Sequence, residues 1–146
     1  MTLALIQYTS NVPAGFSGVT YGPWVRIRTD KRDDAGLLAH ELLHVNQFWA
    51  AVLAFMCWLP ALCLYIDLDA ALLLVLGAAI LALLRRKTLT LMAEVDAYRL
   101  QLKTTTETVP LSIAETESRA RLFATFISTK YGLNITVTDA LKLITE

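Results

Sequence analysis

The chain has 146 residues, which is room for one domain and a modest core rather than two. Apolar residues make up 55% and charged residues only 18%, and the apolar excess is concentrated between Phe48 and Leu84. With 13 basic and 13 acidic residues the formal net charge is zero, and no basic stripe with interleaved aromatics is visible, so nucleic acid is not an expected partner.

Met1 to Ser10 lacks a basic leading region and holds only a short apolar run, Leu3 to Tyr8, which is not the pattern of a signal peptide. Asn11 to Gly15 and Ser17-Gly18 read as turns. Val19 to Thr29 reads as a strand or hairpin, with Tyr21-Gly22-Pro23 as its break and Trp24, Arg26 and Arg28 alternating with Val25 and Ile27. Asp30 to Asp34 is a charged turn in which Asp34 is placed to cap a helix. That helix is expected from Ala35 to Trp58, before Pro60.

The apolar block falls into two pieces. Phe48 to Ile66 is 19 residues without a charge, Asp67-Leu68-Asp69 is a polar tip, and Ala70 to Leu84 adds 15 uncharged residues before Arg85-Arg86-Lys87. A membrane helix needs about 20 apolar residues. Cys57 and Cys63 lie in the first piece, form no CxxC, and are expected as buried small hydrophobes rather than disulfide partners or metal ligands. Leu89 to Lys103 is helical again, and Thr104 to Pro110 reads as a polar loop. Ser112 and Glu115 have capping-box spacing and open a helix to about Lys130, stopped by Gly132. Thr138 is the expected cap of a last helix, Asp139 to Ile144.

The strongest chemical signal is His40-Glu41-Leu42-Leu43-His44, an HExxH motif that uses both histidines of the chain. Residues four apart lie about 40° apart around a helix, so His40 and His44 project from one face and can share one zinc ion. Glu41 stands beside that face as a general base, and then as proton donor to a leaving amine. Gly36 and Gln47 fall on the same face, where Gly36 would leave room beside the metal and Gln47 would line the cleft. Zinc needs a third protein ligand, and no third histidine exists. The best candidate is Glu94, whose helix carries Ala97, Tyr98 and Gln101 on the same side; an ordinary exposed helical glutamate is the alternative.

HELLHVNQ followed by EVDAYR resembles the small gluzincin HExxH zinc metallopeptidases of bacteria and bacteriophages. The likeness covers Trp24 to about Gln101, and only the two motifs are specific. It implies His40, His44 and Glu94 as Zn2+ ligands and Glu41 as the catalytic base. The arrangement is also similar to the membrane-bound prenyl-protein and heat-shock gluzincins, in which a hydrophobic hairpin separates the two motifs. In that pattern an Asp four residues after the ligand Glu steadies a histidine; here the position is Tyr98, and Asp96 faces elsewhere. Zincin architecture also implies a strand, here Trp24 to Thr29, along whose edge an extended peptide pairs.

The expected fold is therefore α+β and mainly helical. It is a minimal zincin-like domain over 1–146, with a short N-terminal strand or hairpin and an inserted hydrophobic helical hairpin at 48–84. Arg85 to Lys87 would mark the cytoplasmic side, and the zinc site would lie at the membrane surface on that side. A pair of core helices, or an apolar surface buried by oligomerisation, is the other reading of the block. Tyr98 or Tyr131 could donate to an oxyanion, though packing is the simpler role, and Arg26 and Arg28 could meet a substrate carboxylate. The expected function is amide-bond hydrolysis of a peptide or protein by metal-activated water, with the lipid bilayer as a further partner. The alternatives are a virion, ejection or assembly protein of a phage, keeping a zincin fold with little or no activity, and a peptidoglycan-linked hydrolase.

Overall fold

A computed structural model describes residues 3–146 of the chain. It is α+β and mainly helical. Three short strands come first: β1 (Leu5–Tyr8), β2 (Gly18–Tyr21) and β3 (Trp24–Ile27). They form one sheet in the order β1-β3-β2, with β1 parallel and β2 antiparallel to β3. The alternation read in Trp24 to Ile27 is real, since Val25 and Ile27 are buried while Trp24 is exposed. The edge assignment is corrected. Leu5 to Tyr8 takes the second side of β3, so β3 is central and the edge strand beside the site is β2.

Helix α1 (Ala35–Tyr65) starts on Asp34, whose side chain accepts from the Leu37 amide at 2.9 Å. It does not stop at Trp58 but continues through Pro60. An interior proline deletes one backbone donor and its ring crowds the carbonyl four residues back, a cost of about 3 kcal/mol that the hydrogen bonds on either side carry here. Val25 and Ile27 pack against Leu37 and Val45 of α1, so the sheet covers one flank of the motif-bearing turns.

Beyond Ile66 the chain reverses. Asp67 caps α2 (Leu68–Leu84), accepting from the Ala70 amide at 2.9 Å, so Leu68 and Asp69 belong to the helix and the tip is shorter than the sequence suggested. Along both arms large apolar side chains are exposed, among them Leu53, Met56, Leu64, Leu73 and Leu84. Cys57 is exposed, which corrects its expected burial: the outward face of α1 has no protein packed on it. The side chain of Cys63 lies outside the described residues.

Helix α3 (Arg86–Thr108) follows at a bend of 67° from α2, and Arg85 to Lys87 sit on that bend. It extends through the threonines that looked like a loop. The hydroxyls of Thr105, Thr106 and Thr108 donate to carbonyls three or four residues back, which satisfies them within the helix. The capping box at Ser112 and Glu115 opens α4 (Ile113–Lys130) as expected. The last helix, α5 (Val137–Thr145), is capped by Thr136 rather than Thr138, because Thr136 Oγ1 accepts from the Asp139 amide at 3.1 Å. Tyr98, Phe123, Ile127 and Ile144 form a second core that ties α3, α4 and α5 together.

Candidate metal centre

Helical spacing brings the motif together as the sequence required. His40 and His44 leave α1 on the side facing α3, and Glu94 comes from α3 to meet them. Among the described residues these three form the group able to hold a metal, with donor atoms all within 4.8 Å of one another. The two Nε2 atoms are 3.2 Å apart, and each lies 3.7 Å from a Glu94 oxygen. Donors each about 2.0–2.2 Å from a tetrahedral zinc stand about 3.3–3.6 Å from one another, so the triangle has the size of three zinc ligands.

The surroundings decide which ring nitrogens carry lone pairs. His44 Nδ1 is 3.0 Å from Gln47 Oε1, an acceptor that suits the tautomer with its proton on Nδ1 and a lone pair on Nε2 facing inward. The Nδ1 edge of His40 faces the Gln101 side chain and the Ala97 carbonyl, and both draw a proton there. Neither closes to normal hydrogen-bond geometry: His40 Nδ1 and Gln101 Oε1 are both buried without a partner. With both rings protonated on Nδ1, the two Nε2 lone pairs and the Glu94 carboxylate converge on one point, and Glu94 Oε2 is likewise buried and unpartnered. Such a set is costly without a cation at its centre. Two imidazoles and a carboxylate are a donor set that fits a divalent transition metal such as zinc.

Electrostatics agree with that geometry. Burial, and next the His44 ring, lower the His40 pKa to about 3, which keeps it neutral and able to ligate. Burial pushes Glu94 up to about 7 against the Tyr131 hydroxyl, which favours its ionised form. A cation between the rings would remove that penalty.

Glu41 lies against the edge strand. Thr20 Oγ1 donates to Glu41 Oε2 at 2.6 Å, and Gly18 passes so close that a Cβ there would stand 2.5 Å from Glu41 Oε1. Burial raises the Glu41 pKa, opposed by the Thr20 hydrogen bond. Gly18 and Thr20 were missed in the sequence, where Ser17-Gly18 read as a turn. The available signal was a glycine at the head of a strand, which marks a close backbone approach.

The cleft over this group has a volume of about 350 Å³ and is lined by β2, the two histidines, Glu41, Glu94, Phe16 and Tyr131. Several expected neighbours are placed elsewhere. Gly36 does not leave room beside the metal; it lets α3 cross close by, with Thr105 Oγ1 and the Gln101 carbonyl where a Cβ would go. Gln47 sits behind His44 rather than in the cleft. Tyr98 is packed, 4.5 Å from the His40 ring and stacked on Phe123 at 4.9 Å, so of the two tyrosines only Tyr131 opens on the cleft. Arg28 pairs with Asp30 at 3.0 Å and Arg26 lies over Trp24, both away from the cleft.

No protein family, no curated protein and no solved structure matches the chain.

Proposed function

We propose that the chain is a zinc-dependent metallopeptidase that works at a membrane surface. The observation that carries the reading is the convergence of His40 Nε2, His44 Nε2 and Glu94 at zinc-ligand separations, with Glu41 buried beside them in the same cleft. When bound, zinc supplies Lewis acidity toward a substrate carbonyl and toward water. Glu41, held by Thr20, takes the proton of the attacking water and passes it to the leaving amine; its raised pKa brings it nearer the working pH of an acid–base group. Gln47 favours the tautomer of His44 that ligates through Nε2, and Tyr131, which faces the cleft, would donate to the developing oxyanion once its hydroxyl turns from Glu94. Gln101, next to His40 Nδ1, stands where an acidic support was missed at Tyr98, which weakens the case for a relaxed, inactive site.

The membrane part of the proposal rests on length and exposure. Positions 48–65 of α1 rise about 27 Å and the 17 residues of α2 about 26 Å, close to the roughly 30 Å hydrocarbon core. Among the described residues nothing covers their exposed apolar side chains, which supports lipid rather than a buried pair of core helices. The Asp67 tip then lies on the far side, and Arg85 to Lys87 mark the cytoplasmic side, where the metal centre sits. The test is Glu41→Gln in the purified, reconstituted protein. It should keep zinc while peptide hydrolysis falls by about 10²–10⁴-fold. Unchanged hydrolysis would remove Glu41 from the mechanism.

A further inference from the structure

One end of the sheet carries large apolar side chains that nothing covers. Leu5, Trp24 and Tyr21 are register partners across the three strands and are 69%, 42% and 58% exposed. Directly paired residues project to the same face, so the three make one continuous row. Leu3, just before β1, is 65% exposed and extends it.

The height of this row is fixed by contacts with α1. Gly18 and Thr20 touch Glu41, and Gly22, one hairpin turn later, lies against the Phe48 ring. Strand β2 therefore runs along α1 toward its apolar half, and the β2–β3 turn ends at the first residue of the uncharged segment. Trp49 Nε1 donates to the Leu3 carbonyl at 2.8 Å, and the Leu5 amide donates to the Pro23 carbonyl at 2.8 Å, tying all three strands to that level. The return arm runs back toward the body. The groove between the arms is lined by Ala54, Phe55, Trp58 and Leu62 on one side and Leu74, Val75, Ala78 and Ala79 on the other, so α2 runs back along α1 and ends at the exposed Arg85 to Lys87.

We propose that this row, Leu3, Leu5, Tyr21 and Trp24, rests on the headgroup region of the bilayer as a second membrane contact, made by the metal-bearing body beside its hairpin. The inference rests on the membrane reading of the hairpin. Tyrosine and tryptophan are the side chains that favour this depth, with an apolar ring below and a polar edge above. Charge fits the same occupant. Arg26, two residues farther from the apolar segment than Trp24, holds its guanidinium 4.4 Å from the Trp24 ring, and with Arg85 to Lys87 it offers cations at phosphate height. Two contacts fix orientation where one hairpin would leave the body free to rock. The β2 edge then stands upright on the membrane, and the cleft opens one to two helical turns above it, so peptide segments emerging from the bilayer are the substrates within reach.

The three tryptophans of the chain, Trp24, Trp49 and Trp58, make the test direct. Trp58 is ten residues past Phe48, about 15 Å along the helix and so near the bilayer centre. The full chain is reconstituted into phosphatidylcholine vesicles with a minor share of phosphatidylglycerol, carrying bromines near the glycerol or near the chain terminus. W24F/W49F leaves Trp58, which should lose most of its emission to deep bromines. W49F/W58F leaves Trp24, which should lose most of its emission to shallow bromines and little to deep ones. Trp58 quenched by lipid with Trp24 unaffected at either depth overturns the shelf and spares the hairpin. Trp58 unaffected overturns the hairpin, and the shelf with it. On the unsubstituted protein, a photoreactive lipid with its group at headgroup depth should label the Tyr21–Trp24 turn, and labelling confined to α1 and α2 counts against the proposal.

Discussion

Gln47 and Gln101 place neutral amides beside the two histidines, where a carboxylate would be the more familiar support. Gln47 Oε1 holds the proton on His44 Nδ1, and Gln101 faces the corresponding edge of His40. A side chain in this position orients a ligand and raises its basicity, and losing it costs about 10–100-fold in metal affinity. Gln101→Leu should therefore weaken zinc binding by about that factor, measured by competition with a chelating dye, with the helical signal unchanged. Gln101→Glu, which restores an acceptor, should recover most of it; equal loss in both variants would reduce Gln101 to packing. The ligands were legible because HExxH encodes its own geometry, four residues being one turn. Their supports were not, since Gln101 comes to His40 through a helix crossing that local spacing cannot reveal. Thr20 reaches Glu41 across 21 residues of chain for the same reason.

Among the elements, the α1–α3 crossing has the least slack. Gly36 is the point of contact, where an added methyl would meet the Gln101 carbonyl at 3.0 Å and, closer still, Thr105 Oγ1. That hydroxyl is already committed to the Gln101 carbonyl at 2.8 Å and cannot turn away freely. Gly36→Ala would ordinarily favour a helix by roughly 1 kcal/mol. Here overpacking should win, with a net loss of about 1–3 kcal/mol in chemical denaturation and weaker zinc binding, because Glu94 rides on the displaced helix. A stabilised protein would show that α3 yields at no cost. Helix starts at Asp34 and Ser112 were readable from local capping chemistry. The ends were less so: Pro60 and the threonine run looked like stops, but a single missing donor and hydroxyls that bond inward both leave a helix intact. The order of the strands was not readable either, because nothing local in Leu5 to Tyr8 says which side of β3 it takes.

On the scale of the whole molecule, two packed bodies meet along the α1–α3 crossing, and the candidate metal centre lies at that junction. The sheet packs on α1 through Val25, Ile27 and Val45, while α4 and α5 pack on α3 through Phe123 and Ile127. His40 and His44 belong to the first body and Glu94 to the second, so the proposed zinc ion would be a further tie that closes them around the cleft. The central claim is that this tie exists, and elemental analysis of the purified, folded chain tests it most directly. The account predicts one zinc per chain, lost in His40→Ala, His44→Ala and Glu94→Ala but kept in Glu41→Gln. A fully folded chain that holds no metal, and takes up none when zinc is supplied, would contradict it.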